Sequence, residues 1–235
     1  MAIEVFNRYE HKYILTPGEY EKALRVMDAY MELDSHSAGY KPYTIANIYY
    51  DTEDDYLIRN SLAKPAYKEK LRLRSYGVPQ KDDKVYLEIK KKVQGIVNKR
   101  RTVLNLSEAY NFVKSGVPPE IQWYMNGQVI DEITYFLSFY KPVPKVYLAY
   151  DRVAYFEREN PDLRISFDTN IRSRREDVKL ESGDYGEPVI AGKFYLMEIK
   201  TSLAKPLWLT RMLTEMELKR SSFSKYGTEF RKNAV

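Results

Sequence analysis

The sequence predicts an α+β protein: an eight-stranded antiparallel β-barrel with a charged lumen and helices packed outside. Three observations predict it. Eight segments alternate apolar and polar residues with period two. Many of them follow one another closely, which favours antiparallel neighbours. Their polar positions carry mainly Lys and Arg, with acids placed singly among them.

The 235 residues suit one domain spanning 1–235. The hydrophobic fraction of 44% supports a real core. Lys plus Arg number 38 against 33 Asp plus Glu, a net charge of +5 that points to an anionic partner only if the basic residues cluster. With no cysteine, disulfide scaffolds, zinc–thiolate sites, iron–sulfur clusters and cysteine nucleophiles are excluded. His11 and His36 are the only histidines, which argues against a multi-histidine metal site or a Ser-His-Asp triad. Carboxylates, Lys, Arg, Tyr and hard cations remain. The 22 tyrosines suit strands around a polar interior, and equally any β-rich protein with amphipathic strands. The N-terminus shows no signal-peptide pattern. No stretch nears the roughly 20 apolar residues that span a bilayer, so a cytoplasmic location is expected.

Element by element, a first strand is read over Val5 to Leu15. Thr16 caps a helix with Pro17 in its first turn and Glu19 three residues after the cap, expected to run to about Leu33. A loop at Ser35 to Pro42 precedes strands at Thr44 to Tyr50 and Ala66 to Tyr76. A second loop covers Gly77 to Asp83. Strands at Lys84 to Lys92 and Val97 to Leu106 form a hairpin turning at Gln94 and Gly95. The run KKKVQGIVNKRR (90–101) resembles a nucleic-acid patch by composition, but the hairpin accounts for it. Ser107 caps a short helix that stops at Gly116. A helical region from Pro119 to Tyr140 is interrupted near Asn126 and Gly127. Strands follow at Lys145 to Phe156 and Leu163 to Ile171, then a loop at Glu181 to Gly192 and a strand at Phe194 to Thr201. A last helix covers Pro206 to Lys219, with Leu207, Trp208, Leu209, Met212 and Leu213 as its core face.

Strand geometry sends alternate residues to opposite sides. Lys68, Lys70, Arg72 and Arg74 therefore share one face at roughly 7 Å intervals, opposite Tyr67, Leu71 and Leu73; Glu69 is an exception on the apolar side, expected at a frayed end. Glu88, Lys90 and Lys92 oppose Val85, Leu87 and Ile89. Arg8, Glu10 and Lys12 share a face, with His11 opposite as a packing residue. Arg164, Ser166, Asp168 and Asn170 share another, continued by Arg172, and oppose Leu163, Ile165, Phe167 and Ile171. Glu198 and Lys200 oppose Met197 and Ile199. Tyr150 with Arg152, and Lys99 with Arg101, complete the set.

Alternation alone also fits an open sheet with one face in water. Against that, Arg and Lys dominate the polar face, adjacent like charges need a counterion, and the pattern recurs on most of the strands. Inward-facing, the same residues would line a lumen large enough for one ligand. A polyanion would neutralise it, Arg offering forks to phosphate oxygens and Lys point charges. Glu10, Glu88, Asp168 and Glu198 then serve either as ion-pair partners or as ligands of Mg²⁺ or Mn²⁺, which bridge one or two carboxylates to substrate phosphates.

The stretches RYEHKY (8–13), IYYDT (48–52), KLRLRSYG (70–77), LEIK (87–90), YDR (150–152), RISFDTN (164–170), LMEIK (196–200) and FSKY (223–226), in this order, resemble the VTC domain, the polyphosphate-polymerase module of the triphosphate tunnel metalloenzyme superfamily. The resemblance implies an eight-stranded tunnel that binds ATP and polyphosphate, or another polyphosphate anion, with Mn²⁺ or Mg²⁺ as cofactor. Family phosphate-contacting positions match Lys12, Arg72, Arg74, Lys90, Lys99, Arg152, Arg164, Ser224 and Lys225. Arg59 is a further match across a small length difference near Lys64 and Pro65. The family's metal-binding glutamate matches Glu198, with Glu10 as a second candidate ligand, and Tyr150 matches a tunnel-wall tyrosine. Lys70 joins the binding set from its face, and Lys200 as an ion-pair partner of Glu198.

The resemblance implies transfer of the ATP γ-phosphoryl group to a polyphosphate chain. Arg72, Arg74, Lys90, Arg152 and Arg164 would clamp phosphates, and Lys12 and Lys99 would neutralise transferred or leaving charge. Two alternatives stay open: an inorganic or nucleoside triphosphatase, and a non-catalytic polyphosphate-binding module. No RRM-like or KH-like signature supports nucleic-acid binding. Where the cyclase and thiamine-triphosphatase branch opens with Glu-x-Glu-x-Lys, Arg8 stands in place of the first acid, which favours the polymerase-like branch. No SPX or membrane-spanning domain is visible, so a membrane-protein partner would act in trans. The oligomeric state is not specified.

Overall fold

The structure, a computed structural model, describes residues 9–94 and 96–233. Arg8, the start of the first expected strand and Gly95 lie outside those residues. All eight expected strands form. They are β1 (Tyr9–Leu15), β3 (Tyr43–Asp51), β4 (Tyr67–Tyr76), β5 (Lys84–Val93), β6 (Ile96–Asn105), β7 (Val143–Glu157), β8 (Arg164–Arg174) and β10 (Tyr195–Thr201). Two short strands add to them: β2 (Met31–Leu33) on β7 and β9 (Glu187–Pro188) on β8. The sheet order is β1-β10-β8-β7-β3-β4-β5-β6, antiparallel throughout. Among the described residues β1 and β6 share no ladder, so the barrel is open along one seam. A side-chain bridge reaches across that side, Lys90 Nζ on β5 to Glu10 Oε2 on β1 at 3.8 Å.

The outward faces make the core. Leu71, Leu73, Val85, Leu87, Ile89 and Leu104 are buried beneath helices α3 (Leu106–Ser115) and α4 (Gly127–Tyr140). Tyr13, Leu15, Ile165, Phe167, Met197 and Ile199 pack under α1 (Pro17–Met27) and α5 (Leu207–Glu215). A third cluster lies at one end of the barrel: Ile45, Leu148, Tyr150 and Leu196 meet Ile58 of α2 (Tyr56–Leu62) and Phe223 and Tyr226, the latter in α6 (Lys225–Asn233). No helix among the described residues is long and apolar enough to cross a membrane.

The differences from the sequence reading have local causes. Thr16 caps α1 as expected, its hydroxyl accepting from the Glu19 N–H while Glu19 accepts from the Thr16 N–H at 2.7 Å. The helix ends at Met27 rather than Leu33 because Arg158 intervenes: its guanidinium donates to the carbonyls of Asp28 and Ala29, and its N–H to that of Tyr30. Met31–Leu33 then pairs with β7. Asn105, not Ser107, caps α3, with Glu108 accepting from its N–H at 3.0 Å. Gly116 does end that helix, at a φ of 72°. In the third region only the part after Asn126 is helical, because Asn126 Oδ1 accepts from the Val129 N–H and so starts α4 there. α5 is shorter than the expected 206–219 span. The helices α2 and α6 were not anticipated.

Three expectations along the strands also change. Glu69 is not at a frayed end: it is buried on the outer side and accepts from the Tyr140 hydroxyl at 2.8 Å. Asn170 takes a φ of 49° beside a register shift in the β7–β8 ladder. That step breaks the alternation and turns Ile171 into the cluster with Leu148 and Tyr150. Arg172 consequently leaves the lumen series and pairs with Asp151 and Asp184.

Candidate functional site

The polar faces converge on one cavity of about 590 Å³ inside the barrel. An open sheet with a solvated face would not gather them. Among the described residues, eleven Lys and Arg side chains line this space against Glu10, Asp34 and Glu198. Strand register sets the arrangement, and two carboxylate hubs hold most of the cations.

The first hub is Glu88, 1% exposed. Its ladder neighbours are Arg72 on β4 and Arg101 on β6, so it sits mid-sheet between cationic strands. Arg72 Nε donates to Oε2 at 2.7 Å, Lys99 Nζ lies 2.8 Å from Oε1 and Arg74 Nη1 3.8 Å from it. Arg74 is oriented further by Asn47 Oδ1 at 3.0 Å and the Tyr150 hydroxyl at 3.4 Å. Burial alone would raise the Glu88 carboxyl, but Arg72, Arg74 and Lys99 together hold it well below the usual carboxylate range.

The second hub pairs Asp168 on β8 with Glu198 on β10. Arg152, opposite Asp168 in the ladder, grips it with two bonds of 2.6 and 2.8 Å and reaches Glu198 at 3.2 Å. Lys225, at the start of α6, bridges both acids at 2.5 and 2.9 Å. Lys200 donates to Glu198 at 2.7 Å. Lys12, opposite Glu198 in register, lies 3.6 Å from it and 3.0 Å from Glu10. Burial works to raise Glu198, yet Lys200, Lys225, Lys12 and Arg152 keep it well below its ordinary value. Glu10 is likewise lowered, by Lys90 and Lys12 against the opposing effect of burial. Arg164 stands apart, paired with Asp34 at 3.1 Å.

Lys12, Arg72, Arg74, Lys90, Arg152 and Arg164 all line the cavity, as do Lys70, Lys99, Tyr150, Lys200, Ser224, Lys225, Glu198 and Glu10. Arg59 is not in the lining; it lies on α2 and pairs with Asp54. Sequence reasoning missed Tyr49, Tyr43 and Asp34, which the cavity includes. Tyr49 lies opposite Arg72 in the ladder, a register visible only in the structure, and Arg72 Nη1 donates to its hydroxyl at 3.3 Å. Asp34 gave no signal, since the expected helix ended one residue before it.

Two ionised carboxylates, Glu10 and Glu198, flank Lys12 at the cavity wall. No group of three or more His, Asp or Glu side chains that could hold a metal occurs among the described residues. The set therefore fits a divalent ion shared with phosphate oxygens and does not form a cage of protein ligands alone.

The VTC domain family model matches residues 7–232. No curated protein matches the chain. A candidate adenylate cyclase of Bacillus halodurans superposes with a TM-score of 0.60 at 13% identity, over 99% of this chain and 100% of that one. That likeness shows the fold. A candidate adenylate cyclase of Vibrio parahaemolyticus (TM-score 0.48, 12% identity, 94% and 97% coverage) and the Mimivirus capping enzyme triphosphatase (0.35, 10%, 88% and 88%) are more distant.

Proposed function

Because the chain belongs to the VTC domain family, we propose that it is a metal-dependent phosphotransferase that moves the γ-phosphoryl group of ATP onto a polyphosphate chain, releasing ADP. The observation that carries this reading is the convergence, among the described residues, of eleven cations on one interior cavity with three carboxylates in its lining. Such a surplus suits a polyanion and no neutral ligand.

Phosphoryl transfer needs alignment and charge stabilisation more than covalent help. The transferred phosphorus gains a bond to an oxygen of the acceptor chain and loses its bond to the bridging oxygen, which leaves with ADP. Arg72 and Arg74, held by Glu88, and Arg152, held by Asp168, are fixed before substrate arrives and clamp phosphate oxygens without reorganising. Lys90 and Arg164 extend the clamp. Lys12 and Lys99 neutralise charge on the transferred and leaving groups. Lys70, Tyr150, Lys200, Ser224 and Lys225 complete the binding wall. Glu198 and Glu10 would hold Mn²⁺ or Mg²⁺ with phosphate oxygens, the ion supplying further neutralisation of developing charge. The acceptor is itself an ionised phosphate, so the site needs no general base; among the described residues no histidine lines the cavity.

The test is product formation from ATP with Mn²⁺. Long chains resolved on a gel, with matching ADP, support the polymerase. Orthophosphate alone indicates a triphosphatase, and binding without turnover a non-catalytic module. Arg74→Ala and Glu198→Gln should each lower kcat/KM about 100-fold or more; undiminished turnover in both would remove these site assignments.

A further inference from the structure

The cations of the cavity are unevenly compensated. Around Glu88, Asp168 and Glu198 most of them have a carboxylate within 4.0 Å, while Arg101 lies over the Tyr86 ring. Along β4 and β5, away from the turn that joins them, this stops. Lys70 stands directly opposite Lys90 in the ladder, and one rung further out Lys68 stands opposite Lys92. These are two successive like-charge pairs on one face of the sheet: Lys70 and Lys90 line the cavity, and Lys68 and Lys92 lie one rung beyond its lining. Among the described residues no carboxylate comes within 4.0 Å of Lys68, Lys70 or Lys92, and Lys90 reaches only Glu10, at 3.8 Å.

Like charges directly opposite each other in a sheet are destabilising. The outer face of the same strands shows the alternative: Lys91, one residue away, pairs with Glu132 at 2.6 Å. The lumen-side lysines are half-buried, so water screens them only in part. Burial and the neighbouring ammoniums of Lys92, Lys90 and Lys64 lower Lys68, and burial with Lys90, Lys68 and Lys12 brings Lys70 down to about 7. Lys68 Nζ is tethered to the Ser61 carbonyl at 2.8 Å, which fixes its position on the rung.

We propose that Lys68 and Lys92 form a distal subsite, continuous through Lys70 and Lys90 with the phosphate clamp, that holds the part of an inorganic polyphosphate chain lying beyond the reacting phosphates. The inference rests on the phosphotransferase reading and adds to it a device for preferring long chains to triphosphate. Successive rungs on one face of a strand lie about 7 Å apart, so a ligand confined to the clamp does not span them and a longer chain does. RNA is disfavoured as the occupant: Lys92 faces Val97 on β6, and Tyr67 lies on the opposite face of β4 with Glu69, so among the described residues no ladder neighbour of the outer rung offers a ring on which a base could stack.

The experiment measures Kd for tripolyphosphate and for long-chain inorganic polyphosphate by calorimetry, on the wild-type chain, on Lys68→Ala/Lys92→Ala and on Lys68→Arg/Lys92→Arg. The alanine pair is expected to weaken long-chain binding about tenfold and tripolyphosphate less than about twofold, with the arginine pair restoring the long-chain value. Equal losses for both ligands, or no loss for either, overturn the subsite while leaving the phosphotransferase reading in place. A wild-type chain that binds neither ligand overturns both. Single-stranded RNA competing as well as polyphosphate, with the same dependence on the two lysines, overturns the choice of ligand.

Discussion

The Tyr226 hydroxyl donates to the carboxylate of Asp51, 175 residues earlier in the chain, at 3.0 Å. Asp51 is fully buried at the end of β3 and also accepts from the N–H groups of Leu57 and Ile58, so it anchors the start of α2 as well. One carboxylate therefore locks two helices to the barrel. The second of them, α6, begins at Lys225, the bridge between Asp168 and Glu198. Tyr226→Phe removes one hydrogen bond and keeps the ring that stacks on Tyr49. Stability should fall by about 1 kcal/mol. The KM for the triphosphate should rise severalfold as Lys225 loses its fixed position. Thermal unfolding and steady-state kinetics check both; an unchanged KM would detach Tyr226 from the site.

Glu88 carries three cations in a fully buried position, which makes it the sharpest test of charge compensation. Glu88→Gln keeps the volume and removes the charge. Breaking one side of a buried ionic cluster should cost about 3–5 kcal/mol. Tripolyphosphate supplies the missing negative charge, so its stabilising shift in Tm should be larger in the variant than in the wild type. Because the Glu88 pKa is depressed on folding, its stabilising contribution is complete above the ordinary carboxylate value of 4.5 and is lost as pH falls through the lower folded value. An identical ligand shift in both proteins would show that phosphate does not reach Arg72, Arg74 and Lys99.

Arg164 presents the same relationship at a more exposed clamp residue, engaged by a single carboxylate. Asp34 is 6% exposed and holds Arg164 at 3.1 Å, so an incoming phosphate competes with it. Asp34→Asn should tighten tripolyphosphate binding severalfold while lowering stability by about 1–3 kcal/mol, the loss of a charged hydrogen bond. Calorimetry and denaturant unfolding measure the two effects. Weaker binding in the variant would instead make Asp34 a support for Arg164.

The barrel was legible because period-two alternation is a local signal, and eight strands repeat it. The lumen was legible for the same reason: Arg72, Arg74, Glu88, Lys99 and Arg164 alternate with apolar neighbours that need a core. What stayed hidden depends on contacts distant in sequence. The end of α1 is fixed by Arg158, about 130 residues on. The helix α6 reads as a polar run with a glycine inside it, yet Gly227 is there because α2 packs closely, a Cβ at that position meeting Leu62 Cδ2 at 3.1 Å. The turn of Ile171 into the barrel depends on the left-handed Asn170, which alternation cannot express. Arg59 was assigned across a length difference, and its helix, also hidden, directs it to Asp54.

Lys70 gives the clearest expectation for pH. Burial lowers its ammonium most, and Lys90, Lys68 and Lys12 add to the effect, while Asp51 opposes it; the result is a value of about 7. Below pH 7 the side chain is charged and ready to meet phosphate. Above it the free protein holds a neutral amine, and binding a polyanion must take up a proton. Affinity for long-chain polyphosphate should therefore fall with rising pH, by up to about tenfold per unit above pH 7. Long chains are the ligand of choice because their few terminal groups contribute little titration. Lys99 and Lys200 line the same cavity and are also lowered by burial, so the wild-type slope alone does not identify the group. Lys70→Arg separates them. An arginine at this position stays charged throughout, so its binding profile should become shallower between pH 7 and 9, with Lys99 (about 7) and Lys200 (about 8) supplying the slope that remains and with proton uptake falling in calorimetry run in buffers of different ionisation enthalpy. A slope that survives Lys70→Arg unchanged would move the titration to one of the other two lysines.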